Sequence, residues 1–165
     1  MDAAQPPLQP SSEGKPVSTA PAAVVIVKDL QVGEQKITMP SAVLSSIRQR
    51  AQRANDRGLQ LYKEKQYSAA EAQFTEALKL HPDYALAANN LGFVYYKQDK
   101  FKEAVRWFEN TIRMDPSRAI AYLNLGDAQA NLGEKAKAKQ AYHIYVELSP
   151  NSASVGYARQ QLNKL

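Results

Sequence analysis

The sequence predicts an all-α chain arranged as an array of antiparallel helical hairpins, and three observations carry that expectation. First, Pro82, Pro116 and Pro150 recur at a spacing of 34 residues. Second, the same register stacks Gly58, Gly92 and Gly126, then Ala70, Ala104 and Ala138, then Phe74, Phe108 and Tyr142. Third, each column has a physical reason to exist in a helical hairpin. Glycine in the first helix and alanine in the second remove bulk where the two helices cross, and an aromatic fills the seam between hairpins. A proline cannot continue the second helix and so ends it.

The elements follow in order. Residues 1–22 hold Pro6, Pro7, Pro10, Pro16 and Pro21 among Ser, Ala and Gln; with so little apolar surface to bury, this stretch reads as a disordered tail. Residues 23–40 contain the β-branched run AVVIV, with Gly33 placed for a turn, and read as an extended arm or weak hairpin that needs a surface to dock on. Pro40-Ser41 marks a helix entry, with Ser41 the N-cap candidate, and 41–50 extends the first helix ahead of the periodic region. The repeats then occupy 51–84, 85–118 and 119–152. The first helix of each is expected at about 51–64, 85–98 and 119–132, and the second at about 67–80, 101–114 and 135–148. Residues 153–165 form a final helix whose Val155, Tyr157, Ala158 and Leu162 cover the last hairpin, which would otherwise expose an apolar face.

This pattern over residues 51–152 resembles the tetratricopeptide repeat family, whose unit is a pair of antiparallel helices of this period. The resemblance implies a right-handed superhelix with the first helix of each repeat lining its concave face. Some positions depart from the family pattern. Arg57 stands where Leu91 and Leu125 stand later, Thr111 and Tyr145 share the column of the small Ala77, and Gln129 replaces the large Leu61 and Tyr95. These changes suggest that the end repeats pack atypically.

The implied groove is lined by Asn55, Asp56, Leu59, Tyr62 and Lys63 in the first repeat, and by Asn89, Asn90, Phe93, Tyr96 and Lys97 in the second. Leu123, Asn124, Asp127 and Asn131 complete it in the third. Asparagine offers a donor and an acceptor and so can hold a peptide backbone without reading its side chains, while the aromatics add apolar area at low entropy cost. An extended peptide or a partner helix is the natural occupant. Two family sub-patterns are distinguishable here. The chaperone-tail clamp of the co-chaperone family corresponds to Asn55, Leu59, Asn90, Ile120 and Asn124, where only Asn90 matches and the gripping cations are missing. The asparagine before Leu-Gly in Asn90-Leu91-Gly92 and Asn124-Leu125-Gly126 instead resembles the peptide-holding ladder of O-GlcNAc transferase superhelices, whereas Asp56-Arg57-Gly58 departs from it.

The remaining features point away from chemistry and toward protein binding. Cysteine is absent and only two histidines are present, far apart, which leaves no donor set for zinc; no metal or other cofactor is expected. His81-Pro82-Asp83 spells a J-domain tripeptide but falls at a repeat terminus. No phosphate loop, nucleophile elbow or HExxH motif occurs, and Glu103 and Glu109 sit among Lys100, Lys102 and Arg106 at the spacing of solvated helix pairs, so no enzymatic role is expected. Arg50, Arg53 and Arg57 form a basic stripe on the entry helix. The stripe reads first as a solvated face and second as a dock for an acidic partner; the expected partner is a protein or peptide, and the mild net charge of +5 hints at an acidic one. The absence of stacking aromatics among these arginines disfavours nucleic acid. Self-association through the 23–39 arm is the alternative reading. No window approaches the roughly 18 apolar residues needed to span a bilayer. The expected setting is soluble and cytoplasmic, or periplasmic or membrane-tethered where a signal or anchor has been removed before Met1.

Overall fold

The computed structural model describes residues 39–165, and seven α-helices account for most of them. They are α1 (Ser41–Lys63), α2 (Tyr67–Leu80), α3 (Ala85–Lys97), α4 (Phe101–Met114), α5 (Ala119–Asn131), α6 (Lys135–Leu148) and α7 (Val155–Lys164). No strand occurs among the described residues. The tail at 1–22 and nearly all of the 23–40 arm lie outside them. The helices pack as hairpins, α1 with α2, α3 with α4 and α5 with α6. Each second helix also packs on the next hairpin, and α6 packs on α7.

Backbone geometry repeats with the sequence period. At the tight turn inside each hairpin the chain passes through a left-handed residue, Lys65 (φ 59°), Asp99 (φ 59°) and Gly133 (φ 77°). Just beyond it, the N–H groups of Gln66, Lys100 and Glu134 reach back to the carbonyls of Leu61, Tyr95 and Gln129 at 2.9, 3.0 and 2.9 Å. This is the helix-ending arrangement that a left-handed residue permits. The turn between hairpins is equally regular. His81, Asp115 and Ser149 close the second helices, and their carbonyls accept from Tyr84, Arg118 and Ser152 across the intervening prolines. At the entry of α1, Pro40 rather than Ser41 is the cap position, and no side chain caps the helix. Ser41 is already its first helical residue, following a proline that cannot itself donate.

The glycine columns have a specific reason. A Cβ built on Gly58, Gly92 or Gly126 would lie 2.7, 2.8 or 2.7 Å from the ring of Phe74, Phe108 or Tyr142 respectively. Each aromatic therefore lies flush on the glycine of its own hairpin, and Ala70, Ala104 and Ala138 beside it are fully buried. Leucine at the position before the glycine joins one hairpin to the one before it. Leu91 packs with Leu59 and Phe74, and Leu125 packs with Phe93 and Phe108. Arg57 occupies that position in the first hairpin, where no earlier hairpin exists among the described residues, and it is exposed. The departure at Arg57 is thus the polar end of a stack. Tyr145 answers the opposite end: it is buried against α7 and its hydroxyl meets Ser152 Oγ at 2.5 Å.

Candidate functional site

Successive first helices touch directly, α1 with α3 and α3 with α5, and the second helices have no contact of that extent with one another. The array therefore curves with α1, α3 and α5 on its inner side. The groove residues expected from sequence all lie on these helices, but they divide into two layers.

The deep layer is polar and self-paired. Asn90 Nδ2 donates to Asn55 Oδ1 at 3.0 Å, and Asn124 Nδ2 donates to Asn89 Oδ1 at 3.2 Å. All four asparagines are buried. They tie each inner helix to the next, because a buried amide left unpaired costs more than the bond itself gains. The corresponding third pair is Leu123 with Ala158 of α7, both fully buried in one apolar cluster. Where the stack ends, an apolar contact takes the place of the amide pair. Asn124 Oδ1 remains buried without a hydrogen-bond partner.

Beside this layer runs the column Leu59, Phe93 and Asp127, each buried. Asp127 Oδ1 accepts from both Tyr142 of α6, at 2.7 Å, and Tyr157 of α7, at 2.8 Å, while its Oδ2 is buried with no partner. Burial pushes its pKa up to about 6, against the two tyrosine hydrogen bonds and the nearby Lys97 charge, which favour the carboxylate. The same burial and the Asp127 charge drive both tyrosine hydroxyls well above their ordinary range. The sequence pattern places Asp127 in the groove but does not reveal this cluster. A signal was present: phenylalanine at 74 and 108 accompanies the apolar Leu59 and Phe93, and tyrosine at 142 accompanies Asp127.

The accessible layer is aromatic and cationic. Tyr67, Tyr62, Phe93, Tyr96 and Phe101 form a continuous run of rings, with successive centroid separations of 5.7, 5.7, 6.1 and 5.4 Å. Phe93 is buried at its base and the other four are half-buried. Tyr67 and Phe101, the first residues of α2 and α4, were not anticipated as part of it. They arrive through the hairpin turn, which brings each second helix back beside the end of the first. Lys97 Nζ lies 5.4 Å from the Phe93 centroid and 6.0 Å from that of Tyr96, a cation over ring faces. Lys63 holds the equivalent place in α1 and is exposed, as are Asp56 and Asn131. Asn131 Nδ2 donates to the Tyr96 hydroxyl at 3.1 Å and fixes that ring from α5.

Arg50 and Arg53 are exposed with Arg57 on α1, outside the groove. No group of histidine, aspartate and glutamate among the described residues is placed to hold a metal ion. Among the described residues, no helix is long and apolar enough to cross a membrane.

Comparison with known proteins gives a consistent picture. A tetratricopeptide repeat profile matches residues 94–153, and a second TPR repeat profile matches 58–99. No curated protein sequence matches the chain. Among solved structures, the first TPR domain of Spaghetti (RPAP3), bound to the HSP90 peptide SRMEEVD, superposes with a TM-score of 0.67 at 25% identity, over 71% of this chain and 90% of that one. The second TPR domain of human RPAP3, in complex with the HSP70 peptide SGPTIEEVD, gives 0.64 at 26% identity, over 73% and 96%. The yeast Sti1 TPR2B domain, in its pHsp70 complex, gives 0.68 at 24% identity over 70% and 95%, a likeness of fold.

Proposed function

The chain belongs to the tetratricopeptide repeat family, and on that premise we propose that it is a non-catalytic scaffold or adaptor, holding a peptide or partner helix along the inner face of α1, α3 and α5. The observation that carries this reading is the unbroken run of rings from Tyr67 to Phe101 with Lys97 above it. Rigid rings set side by side on packed helices offer large apolar area at little entropic cost, which is what an anchoring surface requires. Structural neighbours held with chaperone peptides support the same use of the fold. The asparagines contribute indirectly. Paired within the array, they fix the spacing of the inner helices, and so of the rings, rather than offering themselves to a ligand.

Selection of a random peptide library on the chain tests the proposal, with a Tyr62→Ala/Tyr96→Ala variant as the comparison. Enriched peptides should bind the parent and lose at least about tenfold on the variant, at unchanged helicity. Peptides that bind both proteins equally would move the site off this face.

A further inference from the structure

Resting on that reading of the groove, we propose that its partner is recognised through an internal acidic segment carrying an aromatic or large apolar side chain, and not through a free C-terminus. Three features of the inner face lead there.

The first is the ring run itself, which offers an apolar side chain four half-buried aromatic edges and the Phe93 floor. An inserted ring meets tilted and edge-on neighbours, the arrangement aromatic pairs favour. The second is charge. The residue that follows Tyr62 and the one that follows Tyr96 are both lysine, and Lys97 already lies over two of the rings. An acidic residue next to the inserted side chain meets that ammonium at the mouth of the rail, and the net charge of +5 favours its approach.

The third is the chemistry missing for a terminal carboxylate. A chain end needs cations converging on it. The deep positions where such a grip would be built hold Asn55, Leu59, Asn90 and Asn124, all buried, and Asn55, Asn90 and Asn124 are tied into the amide pairs that join the helices. Ile120 supplies no charge either. The neighbouring buried ionisable group is Asp127, which as a carboxylate repels another. A backbone running through the groove with no charge of its own avoids all of this, and leaves acidic side chains to reach the lysines at the rim.

Fluorescence anisotropy with short synthetic peptides decides the matter. The principal probe is a glutamate-rich peptide with two phenylalanines, acetylated and amidated so that it has no terminal charge. It should bind, and releasing the C-terminal carboxylate should alter its affinity by no more than about twofold. Replacing its phenylalanines by alanine, or its glutamates by lysine, should weaken it at least about tenfold. On the protein side, Lys97→Gln should weaken the acidic probe and spare a neutral one in which glutamine replaces glutamate; the pair Lys63→Gln/Lys97→Gln, one exposed and one half-buried, should do so further at full helicity. Failure of the blocked acidic probe to bind overturns the proposal, as does an affinity that appears only with a free carboxylate or an equal affinity for the lysine probe. None of these results touches the broader groove reading, which fails if library-selected peptides ignore Tyr62 and Tyr96.

Discussion

Tyr142 lies with its ring on Gly126 and its hydroxyl 2.7 Å from Asp127 Oδ1, so one side chain fills the hairpin seam and partners a buried carboxyl on the inner face. The earlier hairpins have phenylalanine on glycine beside an apolar residue, Phe74 with Leu59 and Phe108 with Phe93. The polar pair is thus a local substitution for an apolar one within the same geometry. Tyr142→Phe should therefore destabilise the chain by about 1–3 kcal/mol, the cost of stripping a partner from a buried group. Asp127→Leu combined with Tyr142→Phe copies the upstream hairpins and should recover most of that loss in urea denaturation.

Asp127 also gives the fold a pH dependence of defined sign. Its pKa is about 6 in the folded chain against an ordinary 3.8, so between those values the folded state holds the proton that the unfolded state has released. Stability is greatest below the lower value, declines as pH rises toward about 6, and stays reduced above it, by roughly 2–3 kcal/mol. Asp127→Asn keeps an acceptor for Tyr142 and Tyr157 without the charge. The difference in unfolding free energy between variant and parent should grow in the variant's favour from pH 4 to pH 7. The comparison isolates this group from His81, whose pKa is lowered by burial and by Arg48 and whose effect on stability runs the other way.

The asparagine pairs predict a double-mutant result. Asn55→Ala or Asn90→Ala alone leaves a buried amide facing an apolar neighbour and should cost about 2 kcal/mol each. Asn55→Leu with Asn90→Ala reproduces the Leu123–Ala158 contact that closes the other end of the stack, and should cost clearly less than the two single losses summed.

The hairpin turns supply a fourth comparison. Lys65 and Asp99 sit in the left-handed conformation that Gly133 occupies without strain. Lys65→Gly should raise the thermal midpoint, by an amount corresponding to roughly 0.5–1 kcal/mol, and Asp99→Gly by less, because aspartate tolerates that region better than lysine. Gly133→Ala should lower it. At Gly92, by contrast, alanine should destabilise by about 1–3 kcal/mol despite its better helix propensity, since its Cβ falls 2.8 Å from the Phe108 ring.

These features differ in how far the sequence reveals them. Columns such as Pro82, Gly92 and Phe108 are visible because each repeat needs the same residue for the same local reason. The amide pairs are hidden because they join Asn55 to Asn90 and Asn89 to Asn124, a step of 35 residues rather than 34. Aligned by period, the same residues look like two outward-facing columns available to a ligand. Only the offset between neighbouring helices turns them toward one another. Tyr67 and Phe101 escape notice for a related reason: they begin second helices, and it is the left-handed turn that folds them back beside Tyr62 and Tyr96.

Site-specific photo-crosslinking locates the face that holds the peptide. A photoreactive phenylalanine analogue is placed at Tyr96 on the inner face or at the exposed Glu109 on α4, and each protein is irradiated with the peptide selected on the intact chain. Binding on the inner face gives a crosslink from position 96, lost on competition with unlabelled peptide, and none from position 109. A competed crosslink from position 109 with none from position 96 would place recognition on the outer helices and contradict it.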